Sequence, residues 1–278
     1  MHIWVSLLLA LTSTWAQAEI VTLAVNGKLT ARAEYHAGKP DKPAVLMLHG
    51  FLQTHEFPTT QRLANNLAGE GYTVLSPTLS LNIPNRRQSL SCEAIHTHIM
   101  DGAVRELRVW LDWLKKRRKS IVLLGHSFGS VHLLAYLQAH PDPAVRKLIG
   151  VSIIEGRLYA GEQKRGQIIR QLRAMSRNQN TAIVKHQFTF CKQLQGTPQS
   201  LLSYLEWSPE RILSTINQVP LPMTFIVGSE DDLFGPDWID RLRLTRAKVV
   251  IVEGADHFMD GEHEFTLLDD VLAELKDA

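Results

Sequence analysis

The sequence predicts an α/β protein built on a mostly parallel sheet with helices on both faces. Three observations carry that expectation. Short runs (Ala44–Leu48, Ile121–Leu124, Leu148–Ile154, Met223–Val227 and Val249–Val252) are apolar nearly throughout instead of alternating, as strands buried on both faces are. Stretches with helical spacing separate most of them. The chain has 278 residues, 45% of them hydrophobic, which is enough to bury such a core.

Composition narrows the function classes. The formal net charge is +2, from 30 Lys+Arg against 28 Asp+Glu, so no strong positive field is available to hold nucleic acid. With 17 Gly and 12 Pro, a collagenous or low-complexity chain is excluded. Two cysteines cannot make a disulfide-dense scaffold.

The N-terminus reads as an address. Ile3 to Leu11 is apolar, and Ala16-Gln17-Ala18 is the small-x-small pattern that signal peptidase cuts. The run is too short for a membrane-spanning helix, which needs about 20 apolar residues. A signal peptide over residues 1–18 and an exported, periplasmic or secreted, product are therefore expected, although the n-region carries His2 and no Lys or Arg. The alternatives are an uncleaved anchor or a buried first strand. No later stretch is long and apolar enough to span a membrane. Export would place Cys92 and Cys191 where disulfides form; a bridge between them and two buried free thiols are both open.

Along the mature chain, Ile20–Val25 and Leu29–Tyr35 read as an antiparallel pair around Asn26-Gly27. The strand Ala44–Leu48 is followed by a helix over Thr60–Leu67, the strand Tyr72–Leu75 and a helix over Val104–Leu114. Ile121–Leu124 is followed by a helix over Val131–Gln138, and then by the strand Leu148–Ile154. Glu155 to Asn217 interrupts the rhythm with 63 polar, mainly helical residues, Ser208-Pro209-Glu210 resembling a helix start. An insertion at that sheet edge is expected to be a lid. Two more strands flank a helix around Trp238–Leu244, and the amphipathic helix Phe265–Leu275 ends the chain.

The chemistry is carried by Gly125-His126-Ser127-Phe128-Gly129, which joins a strand directly to a helix. A turn this tight strains its central residue and leaves no room for side chains two positions away, hence both glycines. Ser127 is the expected nucleophile. It needs a base, and the base needs an orienting carboxylate. His257, in the loop after Val249–Val252, is the expected base. Asp231, after Gly228, is the expected acid, with Asp232 as the alternative; Asp256 is left out. The oxyanion hole is assigned to the main-chain amides of Phe128 and Phe51, with Leu52 the neighbouring choice for the second. His49 is read as a support for that loop, and His55 and Glu56 as either substrate entrance or loop surface.

Leu48-His49-Gly50-Phe51, Gly125–Gly129, Gly228-x-x-Asp231 and Gly254-x-Asp256-His257 together resemble the α/β-hydrolase superfamily of serine esterases, lipases and related acyl hydrolases. The resemblance implies a three-layer fold with an eight-stranded, mostly parallel sheet and a helical cap, at about 155–217, inserted after the sixth strand. It implies a serine hydrolase cleaving a carboxylic ester, with no metal or cofactor, acting on a small-molecule acyl substrate. Thioesterase, peptidase or amidase activity, or a non-catalytic binding protein on the same scaffold, are the alternatives. Serine at the elbow argues against relatives with an aspartate nucleophile. Cys92, His96 and His98 could suggest zinc, but no second ligand cluster accompanies them. The basic run Lys115–Lys119 reads as a solvated helix end, with contact to an anionic surface as the minority reading.

Overall fold

The computed structural model describes residues 18–277 apart from 28, 159 and 160. The apolar N-terminal segment up to residue 17 lies outside the described residues. An eight-stranded sheet is built from β1 (Glu19–Asn26), β2 (Leu29–His36), β3 (Ala44–Leu48), β4 (Thr73–Thr78), β6 (Ile121–His126), β7 (Val145–Val151), β10 (Met223–Gly228) and β11 (Lys248–Val252). Its order is β1-β2-β4-β3-β6-β7-β10-β11. The pairs β1–β2 and β2–β4 are antiparallel, and from β4 to β11 every pair is parallel.

Strand residues alternate between faces, so each apolar run feeds two cores. Leu46, Leu48, Ile121, Leu123, Leu148 and Phe225 join one cluster with α2 (Met100–Lys115) and α3 (Phe128–Ala139). Val45, Met47, Val122, Leu124, Ile149 and Ile226 join the other, with α1 (Pro58–Gly69) and α8 (His263–Lys276). That double burial is why these strands carry almost no polar residues. Strand β7 starts earlier than the sequence pattern implies, and it ends at Val151, where Ser152 turns the chain at φ 48°.

The insertion after β7 carries α4 (Glu162–Arg177), α5 (Pro198–Leu205) and α6 (Pro209–Gln218), whose Ser208 hydroxyl caps the helix by accepting from the Arg211 amide. It also contains an antiparallel hairpin, β8 (Val184–Phe188) and β9 (Cys191–Gly196), which hydropathy did not reveal. Strand β9 pairs with the two-residue β5 (Ile95–His96), and the Cys92–Cys191 disulfide, with a Cα–Cα distance of 5.5 Å, ties the hairpin tip to the segment after β4. A short helix α7 (Trp238–Arg243) precedes β11. Among the described residues no helix is long and apolar enough to cross a membrane.

The basic helix end is largely occupied. Lys115 reaches Asp112 and Asp142, Arg117 stacks on Trp113 at 3.5 Å, and Arg118 donates to Thr73 and to the Gly38 carbonyl.

Candidate active site

Parallel strands deliver their loops to one edge, and three loops converge there. After β6 the chain turns into α3 through Ser127, whose φ of 54° and ψ of −127° are costly for a non-glycine residue. The flanking glycines follow from close approach. A Cβ on Gly125 would sit 2.6 Å from the Ser130 nitrogen, and one on Gly129 would sit 2.4 Å from the His49 oxygen. The turn is held by the Ser127 amide donating to the Val151 carbonyl at 2.8 Å.

His257, in the loop after β11, lies with Nε2 2.9 Å from Ser127 Oγ and Nδ1 2.7 Å from Asp231 Oδ2. The carboxylate selects the tautomer: Nδ1–H donates to Asp231, so Nε2 is left to accept the Ser127 proton. The other oxygen of Asp231 accepts from the Leu233 amide at 3.0 Å, which fixes the carboxylate plane. The loops after β10 and β11 touch so closely that a Cβ on Gly228 would meet the Ala255 oxygen at 2.1 Å. Asp232 is exposed, and Asp256 turns to the amides of Phe258 and Met259. Ser127, His257 and Asp231 are 5%, 4% and 7% exposed, so the chain Oγ–imidazole–carboxylate is almost water-free.

On the other side of Ser127, Phe128 is the first residue of α3, so its amide is one of the helix's unpaired N–H groups, at the positive end of the dipole. The amide of Phe51 also has no protein acceptor among the described residues. A Cβ on Gly50, just before it, would lie 2.6 Å from Gln53 Oε1, the end of a flexible side chain, and 3.2 Å from Ser127 Cβ. His49 supports the loop through hydrogen bonds. Its Nδ1–H donates to the Gly50 carbonyl at 2.8 Å and its Nε2 accepts from the Leu79 amide at 3.1 Å. Burial holds this imidazole well below the usual range, so it stays neutral. The side chains of Phe51 and Phe128 pack edge to face with Phe188 from the hairpin, at 5.2 and 5.4 Å, and Phe51 also meets Phe190 at 6.2 Å. The insertion's hairpin therefore rests directly on the loop of residues 50–53. A cavity of about 230 Å³ walled by Ser80, Asn82, His98, Arg105, Glu106 and Gln199 is lined by none of Ser127, Asp231 and His257.

Other sequence candidates make contacts of their own. His55 is buried, its amide donating to the Thr78 hydroxyl and its Nδ1 lying 2.6 Å from it, while Glu56 is half-exposed at 47%. Cys92 is used in the disulfide. His98 bonds to the Tyr204 hydroxyl at 2.7 Å and to His96 at 3.2 Å. Among the described residues no three His, Cys, Asp or Glu side chains form a group that could hold a metal ion. Two residues that the sequence did not single out, Gln53 and Arg86, bond to the oxyanion loop.

A search of curated proteins finds no match. Solved structures are similar over nearly the whole chain at low identity. The structure of DcsB in complex with its substrate analogue matches with a TM-score of 0.70 and 15% identity, over 94% of this chain and 99% of that one. The alpha/beta hydrolase GrgF from Penicillium sp. sh18 matches with a TM-score of 0.69 and 18% identity, over 94% and 98%. Est1E from Butyrivibrio proteoclasticus matches with a TM-score of 0.63 and 13% identity, over 92% and 99%. At such identities the likeness establishes the fold. The model of the alpha/beta hydrolase family matches residues 45–267, a span that runs from β3 into α8 and takes in Ser127, Asp231 and His257. By its fold and by that match, the chain belongs to the alpha/beta hydrolase family.

Proposed function

We propose that this hydrolase is an exported serine esterase that transfers an acyl group from a carboxylic ester to water through an acyl-Ser127 intermediate. The observation that carries the reading is the continuous hydrogen-bonded chain from Ser127 Oγ through His257 to Asp231. As Oγ attacks the carbonyl carbon, its proton moves to His257 Nε2, and the imidazolium is stabilised by the Asp231 carboxylate. The tetrahedral oxyanion is received by the amides of Phe128 and Phe51, preorganised donors in a site from which water is largely excluded. His257 then protonates the leaving alcohol, and the C–O bond breaks. Water repeats the cycle on the acyl-enzyme, giving its proton to His257 and releasing the acid and Ser127.

Ester chemistry, in preference to thioester or amide, follows the sequence resemblance; the similar folds include lipolytic enzymes and also a thioesterase domain, so a substrate panel decides between them. Export is supported by the cleavage pattern Ala16-Gln17-Ala18 and by the disulfide, a bond that persists in oxidising compartments.

The test is fluorophosphonate labelling of the purified protein beside turnover of p-nitrophenyl, thioester and anilide panels. Label on Ser127, lost in Ser127→Ala, with ester turnover exceeding the others, is expected. A folded wild type that neither labels nor turns over any acyl substrate would leave only a binding role. Mass spectrometry of the protein from a Gram-negative export host should find Glu19 at the mature N-terminus; an intact Met1 would overturn the export reading.

A further inference from the structure

Arg86 lies in an irregular segment between β4 and β5, yet it is 3% exposed. Burying a guanidinium is costly unless its donors are matched. Here they are matched by main-chain oxygens. Nε donates to the Leu79 carbonyl at 2.8 Å, Nη1 to Leu52 at 3.3 Å and to Gln88 at 2.7 Å, and Nη2 to Gln53 at 2.5 Å. No carboxylate lies within ion-pair distance of it among the described residues. Five fixed donors in one plane suit such a set of carbonyls, whereas a lysine ammonium could reach fewer of them.

Two of those carbonyls belong to the oxyanion loop. Leu52 is held at φ 61°, an uncommon conformation for a leucine, and its oxygen accepts from the Leu90 amide as well as from Arg86. Gln53, whose carbonyl Arg86 also grips, closes a tight turn with Gly50. The Gln53 amide donates to the Gly50 oxygen at 3.2 Å, and the Gly50 amide donates to Gln53 Oε1 at 3.0 Å. In a trans peptide the C=O and N–H point in opposite directions. Holding the Gly50 oxygen with Gln53 N–H and His49 Nδ1–H therefore aims the Phe51 N–H the other way, where it has no protein acceptor.

We infer that Arg86 is a positioning residue for acyl transfer: its buried guanidinium holds Leu52 and Gln53 so that the Phe51 amide stays aimed at the developing oxyanion. The inference rests on the esterase reading above. The segment that delivers Arg86 is itself anchored, by the Asn85 amide on the Thr30 carbonyl at 2.8 Å and by the Cys92–Cys191 disulfide. Arg86 touches no reacting atom; it acts through the loop.

The experiment compares wild type with Arg86→Lys, Arg86→Gln and Gln53→Ala, using kcat per active site titrated with fluorophosphonate and the affinity for an arylboronic acid that mimics the tetrahedral state. Loss of one oxyanion donor lowers kcat by about 10²-fold or more. Arg86→Gln is expected to show that loss, with KM changed less than threefold and boronate affinity falling in parallel with kcat. Arg86→Lys should recover part of it. Gln53→Ala removes the side-chain half of the same turn from a half-exposed position and should lower kcat and boronate affinity together; if the Arg86→Gln variant does not fold, Arg86→Lys, which keeps the charge, carries the test by the same readout. Folded variants with kcat per titrated site within twofold of wild type would overturn the inference. So would a fall in kcat without a fall in boronate affinity. Failure of the wild type to label would instead overturn the esterase reading itself, so the two failures are distinguishable.

Discussion

In the proposed reading, the groups on one side of Ser127 that would move a proton are side chains, and those on the other that would receive charge are main-chain amides. The proposed acid–base side is assembled by three loops that follow parallel strands, and each loop carries a side chain whose chemistry suits its proposed role. The oxyanion side is assembled by bracing. His49, Gln53 and Arg86 hold the carbonyls and amides of residues 50–53, while the disulfide-tied hairpin covers them with Phe188 and Phe190. A proton-transfer side chain can be recognised from its identity and spacing. An amide has no identity, and its direction depends on what grips its neighbours.

The sharpest way to test the first half is to remove its members. Ser127→Ala and His257→Ala should each lower kcat by roughly 10⁶-fold with little change in stability. Asp231→Asn should lower it by about 10⁴-fold, through the wrong imidazole tautomer. The exposed neighbour Asp232→Asn should stay within twofold of wild type, as read by p-nitrophenyl ester kinetics. A reversal of the last two would move the orienting role to Asp232.

The same contrast explains what was legible in the sequence. Gly125, Gly129 and Gly228 announced the site because a Cβ at any of them would fall within 2.6 Å of main-chain atoms. The sheet announced itself because strands feeding two cores cannot alternate. Arg86 could not be read in this way. It sits beside Arg87 in Ile83-Pro84-Asn85-Arg86-Arg87-Gln88, and only the fold makes one of the pair buried and the other exposed. The hairpin β8–β9 was equally hidden: its polar run Lys185-His186-Gln187 resembles loop, and its pairing is set by β5 and by Cys92, about a hundred residues earlier. The bridge was open because two cysteines far apart in sequence say nothing about the distance between their Cα atoms.

Breaking the brace from its far end should separate the halves by stability instead of chemistry. Cys92→Ser/Cys191→Ser is expected to cost about 2–5 kcal/mol in urea unfolding. Amide exchange should accelerate in residues 79–94 and 184–196 while β10 and β11 keep their protection. Uniform acceleration across both regions would show that the disulfide stabilises the whole fold and does not specifically brace the oxyanion side.

Closer to the reacting atoms, Gly50→Ala forces a methyl group toward Gln53 Oε1 and Ser127 Cβ, 2.6 and 3.2 Å away. The Gln53 side chain must swing away and give up its bond to the Gly50 amide, so kcat should fall about 10²-fold while the fluorophosphonate label still reacts with Ser127, only more slowly. An unchanged kcat would mean that the Gln53 side-chain bond to the Gly50 amide does not hold the Phe51 amide in place.

The smallest expected effect lies in pH, where the two halves carry opposite signs. Under the acid–base half, Glu274 of α8 ties β7, β10 and β11 together through Lys147, Thr224 and Lys248. Burial alone would raise this carboxyl, but hydrogen bonds from Lys248, Thr224 and Lys147 outweigh it and bring the pKa down to about 2. Its contribution is therefore complete above its ordinary value of 4.5 and is lost as the pH falls toward 2. On the oxyanion half, burial lifts Glu106 to about 7 against the hydrogen bonds it receives from Ser80. The folded state then holds a proton that the unfolded chain releases, so Glu106 costs stability as pH rises from 4.5 to 7. Buried neutral His49, His98, His126 and His132 act the other way below pH 6.5, which makes the wild-type curve alone ambiguous. The difference between wild type and Glu106→Gln isolates the term. Relative to the variant, wild type should lose about 2 kcal/mol between pH 5 and pH 7 in urea unfolding. Glu274→Gln should instead erase stability above pH 4.5 and leave the 5–7 interval parallel to wild type. A Glu106→Gln difference that is flat across that interval would mean the carboxyl is already ionised in its pocket, with Arg86 and Ser80 compensating its burial completely.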